Sequence, residues 1–182
     1  MNCLECQSKE CKSAAKDCNL LREESINEYH NNDHLQTYES ADRLVADGLA
    51  GTLSRVEELV LFINNQGYKN VAIAYCYSME KEALLLKRIM NKNNIKAASF
   101  RCTINGIKEK ELLKNNSHSV NCNPIGQAMS INKSRADFVI EMGLCLGHDV
   151  IFHHYLKKPF TVLAVKDRVH NNCPLDYFKR GK

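Results

Sequence analysis

Four of the nine cysteines, Cys3, Cys6, Cys11 and Cys18, fall in the first eighteen residues as a CxxC pair, four intervening residues, a third cysteine, six more residues and a fourth. Two thiolates in a CxxC turn grip one metal ion, and two more nearby complete a tetrahedral set at about 2.3 Å per zinc–sulfur bond. The spacing matches neither a standard zinc ribbon nor the common ferredoxin runs, so zinc and an iron–sulfur cluster both stay open. This segment offers only Met1, Leu4 and two alanines for burial. Apolar burial alone cannot offset the entropy of ordering it. A structural metal, worth on the order of 10 kcal/mol or more, would supply the missing folding energy.

The other cysteines, Cys76, Cys102, Cys122, Cys145 and Cys173, are far apart in the chain. Taken singly, each has the ordinary role of a small buried apolar residue. An odd count in a chain of 182 residues is a poor disulfide framework, and metal ligation or thiol chemistry is the better expectation. Whether these cysteines meet depends on the elements that carry them.

Three helical patterns precede the first strand. They run over Leu20–Tyr29, over Tyr38–Leu49 up to Gly51, and over Ser54–Asn65, where Ser54 and Glu57 have capping-box spacing and Val56, Leu59, Val60 and Ile63 share a face. From Asn70 the pattern alternates. Strands are expected at Val71–Tyr77, Ala97–Cys102, Asp137–Met142 and Phe160–Val165. Helices are expected from a Ser78 cap to Met90, from Asn123 and Pro124 to Lys133, and over His148–Leu156. Residues 103–122 read as a polar loop with one helical turn near Glu109–Lys114. The alternation predicts an α/β fold, a Rossmann-like parallel sheet of about four strands with flanking helices, over residues 19–182. Residues 1–18 are expected as a small cysteine-rich metal-binding appendage.

In such a sheet Cys76 and Cys102 sit at the carboxyl ends of the first and second strands, Cys145 lies just beyond the third, and Cys122 precedes a helix whose N-terminus points to the same edge. Ligands of open α/β folds bind outside that edge, and the helix dipole there favours anions and thiolates. The four are therefore expected to form one cluster site or reactive-thiol site. Gly143 and Gly147 flank Cys145 and allow close backbone approach, with His148 as a possible ligand or proton donor and Asp149 as a cap. Lys166, Asp167 and Arg168 end the fourth strand at the same edge, where a cation could meet a small anionic ligand. His153 and His154 are adjacent on a helix, point apart, and are not joint ligands.

Composition limits the function class. The net charge is +4, and the densest basic run, Lys87–Lys96, is broken by three asparagines, two isoleucines and a methionine. With no tryptophan and only scattered tyrosine and phenylalanine, there is no basic face interleaved with aromatics for nucleic acid. No apolar run approaches the roughly 18 residues of a membrane span, and the first residues, MNCLECQSKE, lack the pattern of a secretory signal. A soluble, cytoplasmic protein is expected.

The CxxC segment, IAYC, CNPIGQA, GLCLGHD and VLAVKDRV, in this order, resemble an uncharacterised family of cysteine-rich putative metal-binding proteins found mainly in anaerobic bacteria and archaea. The resemblance implies metal binding without an established reaction, through Cys3, Cys6, Cys11 and Cys18 and through Cys76, Cys102, Cys122 and Cys145. The chain departs from that pattern at Thr103, where the family more often has lysine, and around Cys173. Three functions compete. The first is an iron–sulfur or zinc protein with a redox or small-molecule role, the second a non-enzymatic zinc-binding or metal-sensing module, and the third a metal-free thiol enzyme.

Overall fold

The computed structural model describes residues 2–31 and 34–179. Met1, counted above among the apolar residues of the first segment, lies outside them. The chain divides into two compact units, Met1–Ala50 and Gly51–Lys182.

The first unit holds a short helix α1 (Glu10–Ser13), then α2 (Arg22–Asn31) and α3 (His34–Ala46). Helices α2 and α3 pack through Tyr29 and Tyr38, whose rings meet edge to face with centroids 5.6 Å apart.

The second unit opens with α4 (Arg55–Asn65), and the capping box is present: Glu57 N–H donates to the Ser54 hydroxyl, while Ser54 N–H donates to the Glu57 carboxylate at 2.7 Å. There follow β1 (Asn70–Tyr75), α5 (Glu80–Lys92), β2 (Lys96–Arg101), the short α6 (Glu109–Leu112), α7 (Pro124–Lys133), β3 (Phe138–Met142), α8 (His148–Tyr155) and β4 (Phe160–Ala164). The four strands form one parallel sheet in the order β2-β1-β3-β4. The chain leaves β1 toward β2 and later leaves β3 toward β4 on the other side, so the connections diverge between the carboxyl ends of β1 and β3. Open α/β sheets place their ligand sites at such a divergence.

Alternation along β1 builds two cores. Val71, Ile73 and Tyr75 face Leu59 and Ile63 of α4 and Ala83, Leu86 and Met90 of α5. Ala72, Ala74 and Cys76 face the other way, toward Ala128 and Ile131 of α7 and Phe152 of α8. The small side chains at positions 72, 74 and 128 let α7 lie close to the sheet. Cys76 and Cys102 thereby belong to the α7/α8 layer.

One local expectation is corrected. Ser78 does not cap α5, which starts after Met79 without a side-chain cap, because residues 77–79 form a separate 3-10 turn. The Ser78 hydroxyl is turned to the end of the sheet instead. Among the described residues, no helix is long and apolar enough to cross a membrane.

Candidate functional site

Three of the four distant cysteines are carried to one edge by a specific backbone contact, and the fourth by a glycine turn. Cys76 directly follows β1, and its N–H donates to the Met142 carbonyl at 3.1 Å, extending the β1–β3 pairing by one residue. Cys102 directly follows β2 and donates its N–H to the Tyr75 carbonyl at 2.9 Å. Cys122 precedes the N-cap of α7, where Asn123 N–H donates to the Cys102 carbonyl at 2.6 Å and so pins the helix entrance to the end of β2. The Asn123 side chain accepts the Gly126 N–H at 2.8 Å, which fixes that entrance as an N-cap. Cys145 lies in the turn after β3, which leaves the strand through Gly143 at φ +61°, a conformation side chains rarely adopt.

Three of the four sulfurs, those of Cys76, Cys102 and Cys122, meet there. The Cys122 thiol donates to Cys102 Sγ at 3.6 Å, and Tyr77 N–H donates to the same sulfur at 3.4 Å. Cys76 Sγ lies 3.3 Å from the Ser78 hydroxyl, which accepts from Lys166 Nζ at 2.6 Å. Arg168 Nη2 donates to Cys145 Sγ at 3.2 Å. Cys76 and Cys102 are buried, while Cys122 and Cys145 are partly open.

Electrostatics single out Cys76. A hydrogen bond from Cys102, the hydroxyl and N–H of Ser78 and the charge of Lys166 outweigh its burial and hold its thiol well below the usual range. Cys102 is pushed up, first because it donates to Cys76 and then by burial. Burial also raises Cys122, with the charges of Cys145 and Cys76 acting in the same direction. The edge thus favours a thiolate at Cys76 and holds protons on the two sulfurs behind it. The two cations are delivered by the turn after β4. The Asp167 carboxylate braces that turn by accepting from Val169 N–H at 2.8 Å and His170 N–H at 3.0 Å, and it pairs with the His170 ring at 2.8 Å.

The remaining candidates are placed differently. Cys3, Cys6, Cys11 and Cys18 are all exposed in the first unit, with Cys6 Sγ 3.8 Å from the Ser8 hydroxyl and Cys18 donating to the Lys16 carbonyl at 3.7 Å. Among the described residues, no three His, Cys, Asp or Glu side chains stand in the arrangement that holds a metal ion, and this applies to both cysteine groups. His148 donates its backbone N–H to the Cys145 carbonyl at 2.8 Å. The Asp149 carboxylate accepts Gly147 N–H at 2.9 Å and Val150 N–H at 2.7 Å, a turn-closing role. His153 and His154 diverge as expected. His153 stacks on Phe160 with centroids 4.4 Å apart, while His154 meets Tyr155. Cys173 is exposed in the turn before the last 3-10 helix.

Sequence reasoning missed three residues that shape this region. Ser78 relays Lys166 to Cys76. Gln127, fully buried on α7, donates its amide to the Phe100 carbonyl at 2.7 Å and to the Tyr75 carbonyl at 3.4 Å, clipping together the strand ends that carry Cys102 and Cys76. Among the described residues its Oε1 has no hydrogen-bond partner. The signal was there: Gln127 lies on the face marked by Pro124, Ala128 and Ile131, where only apolar residues are expected. Glu141, buried in β3, bonds to the His153 ring. A carboxylate inside the run FVIEM was the corresponding cue.

Burial raises the Glu141 carboxyl above its ordinary range despite the His153 hydrogen bond. A raised acid holds its proton longer in the folded state than in the unfolded one, so its stabilising effect is present at low pH and is lost as pH rises past the ordinary carboxylate range. Glu141→Gln keeps an acceptor for His153 and cannot ionise. Melting temperatures measured from pH 4 to pH 8 should fall less with pH in this variant than in the parent protein, and parallel curves would contradict the assignment.

Over residues 11–163 the chain matches the family described as Protein of unknown function (DUF1847). The chain belongs to this family. It is also 35% identical over 187 residues to the uncharacterized protein MJ0455 of Methanocaldococcus jannaschii, with 98% of this chain and 95% of that one covered. No solved structure matches. The span matched to DUF1847 contains Cys76, Cys102, Cys122 and Cys145 together with Cys11 and Cys18, and it leaves out Cys3 and Cys6.

Proposed function

We propose that this DUF1847 protein binds a metal at the carboxyl edge of its sheet through Cys76, Cys102, Cys122 and Cys145. The observation that supports this reading is that Cys102 Sγ neighbours the sulfurs of both Cys76 and Cys122, with Cys145 at the same edge beside Arg168 and with Lys166 acting on Cys76 through Ser78. The donor chemistry fits a thiolate-ligated zinc or iron–sulfur centre. The 3.6 Å between the Cys102 and Cys122 sulfurs is close to the roughly 3.8 Å sulfur–sulfur edge implied by zinc–sulfur bonds of about 2.3 Å. Four thiolates around a divalent ion leave two negative charges, and Lys166 and Arg168 supply two positive ones. When bound, an iron–sulfur cluster would supply one-electron chemistry, whereas zinc would supply structure or a Lewis acid. The chain's own part is to hold the thiolates, neutralise them from the β4 turn, and keep Cys122 and Cys145 open to a small ligand. A cytosolic location goes with this reading, because nine free cysteines suit a reducing compartment.

Purification without oxygen, followed by metal analysis and a visible spectrum, tests it. A brown protein whose absorption bleaches on reduction supports a cluster with a redox role. A colourless protein with full zinc occupancy moves the reading to a zinc-binding module. A metal-free protein sinks both and leaves thiol chemistry.

Cys3, Cys6, Cys11 and Cys18 are proposed as a separate metal group that orders residues 1–18. All four are exposed and little apolar surface surrounds them, so a bound metal is the source of order available to them. Chelation should make residues 1–18 protease-sensitive while the α/β unit stays resistant. Unchanged digestion after verified metal removal would refute this.

A further inference from the structure

We propose that Cys102 and Cys122 form an intramolecular disulfide by exchange with a low-molecular-weight disulfide that enters at Cys122. Their sulfurs are 3.6 Å apart, and the Asn123 N–H bond to the Cys102 carbonyl keeps the two residues side by side. Closure to the bonded distance of about 2.05 Å needs a sulfur shift of roughly 1.5 Å, within reach of a side-chain rotation. Cys76 also neighbours Cys102 but is the poorer partner. Positions 76 and 102 continue the register that pairs Tyr75 with Arg101 across adjacent parallel strands. Such strands stand about 4.8 Å apart, whereas a disulfide needs Cβ atoms about 3.8 Å apart. The sheet holds both residues at the strand spacing, through Cys102 N–H to Tyr75 and Cys76 N–H to Met142. Cys122 lies outside the sheet and is free to approach.

Exposure sets the order of events. Cys122 is partly open, and Cys102 behind it is only 3% exposed. Cys122, giving up its proton to solvent, attacks one sulfur of the incoming disulfide; a Cys122–sulfur bond forms, the incoming S–S bond breaks, and one thiolate leaves and takes up a proton. Cys102, giving up its proton, then attacks Cys122 Sγ. The Cys102–Cys122 bond forms as the mixed disulfide breaks, and the second small thiol leaves. Two protein thiols are oxidised and one small disulfide is reduced to two thiols. Among the described residues Cys145 makes its side-chain hydrogen bond to Arg168 and to no thiol, so it stops at the mixed disulfide.

The pairing goes beyond the metal reading but uses the same cysteines, so metal content is measured on the same preparation. Full-length protein, reduced and chelator-treated without oxygen, is exposed to oxidised glutathione, alkylated, digested and mapped by mass spectrometry. The expected result is a peptide containing Cys102 joined to one containing Cys122. Cys102→Ser should lose that link and leave glutathione trapped on Cys122, and Cys122→Ser should lose it and leave Cys102 a free thiol. A Cys76–Cys102 link, or glutathione stable on Cys122 of the parent protein with Cys102 free, would overturn the proposal; the parent map alone decides this if a variant fails to fold. Metal found before chelation together with a Cys76–Cys102 link would sink the pairing and leave the metal reading standing. The Cys102–Cys122 link in a protein that held no metal would do the reverse.

Discussion

Cys102→Ala and Cys122→Ala should each strip the metal from the sheet edge, while Cys173→Ala leaves metal content unchanged. The first two remove sulfurs that stand 3.6 Å from each other at the proposed centre, whereas Cys173 is exposed on the turn beyond β4. Losing a ligand should cost more than the roughly 10- to 100-fold in metal affinity typical of outer-shell changes. Lys166→Gln and Arg168→Gln belong to that outer shell, because they act on the thiols by charge and hydrogen bonding, and about 10- to 100-fold is expected of them. Competition against a chelator of known affinity measures all five proteins. Equal affinities for Cys102→Ala and Cys173→Ala would remove Cys102 from the site.

Gly126→Ala should be among the most damaging single-carbon additions to this chain. A Cβ there would stand 2.2 Å from Asn123 Nδ2 and 2.7 Å from Asn105 Nδ2, inside any real contact distance. Asn123 is buried and already committed on both sides, since its carboxamide oxygen caps α7 and its Nδ2 donates to the Ile104 carbonyl at 3.2 Å. Turning it away forfeits a cap worth about 1 kcal/mol and strands buried polar groups at about 1–3 kcal/mol. The sum, about 2–4 kcal/mol, corresponds to a melting temperature lower by roughly 5–15 °C in a chain of this size. Because Cys122 immediately precedes Asn123, the same substitution should also weaken metal binding. Thermal denaturation with and without metal checks both effects, and an unchanged melting temperature would mean that Asn123 has room the packing denies.

Much of the fold was legible because strand ends and helix starts leave local marks. The Ser54/Glu57 capping box, the Asn123–Pro124 entry to α7 and the apolar runs of β1 and β3 each depend on neighbours within a few residues, and each is found, with β1 ending at Tyr75 because Tyr77 already belongs to the 3-10 turn. Once the strands were drawn, Cys76, Cys102 and Cys145 had to lie at or just beyond their carboxyl ends, so their shared edge could be seen in the sequence. The links between them could not. Ser78 read as a helix cap because serine before a helical run usually is one, yet Lys166, 88 positions away, pairs with its hydroxyl at the site. Arg168 read as a partner for an anionic ligand and is found on the sulfur of Cys145. Gln127 binds two carbonyls on two strands, a contact that exists only after α7 is packed on the sheet.

The central claim is that sulfur from the sheet edge, and not only from the N-terminal segment, holds a metal. X-ray absorption at the metal edge, recorded on full-length protein purified without oxygen and carrying Cys3→Ser, Cys6→Ser, Cys11→Ser and Cys18→Ser, tests it most directly. The account predicts that metal remains, with a first shell of sulfur at about 2.3 Å. A protein that has lost all its metal, or one whose metal is surrounded by nitrogen and oxygen, would contradict it.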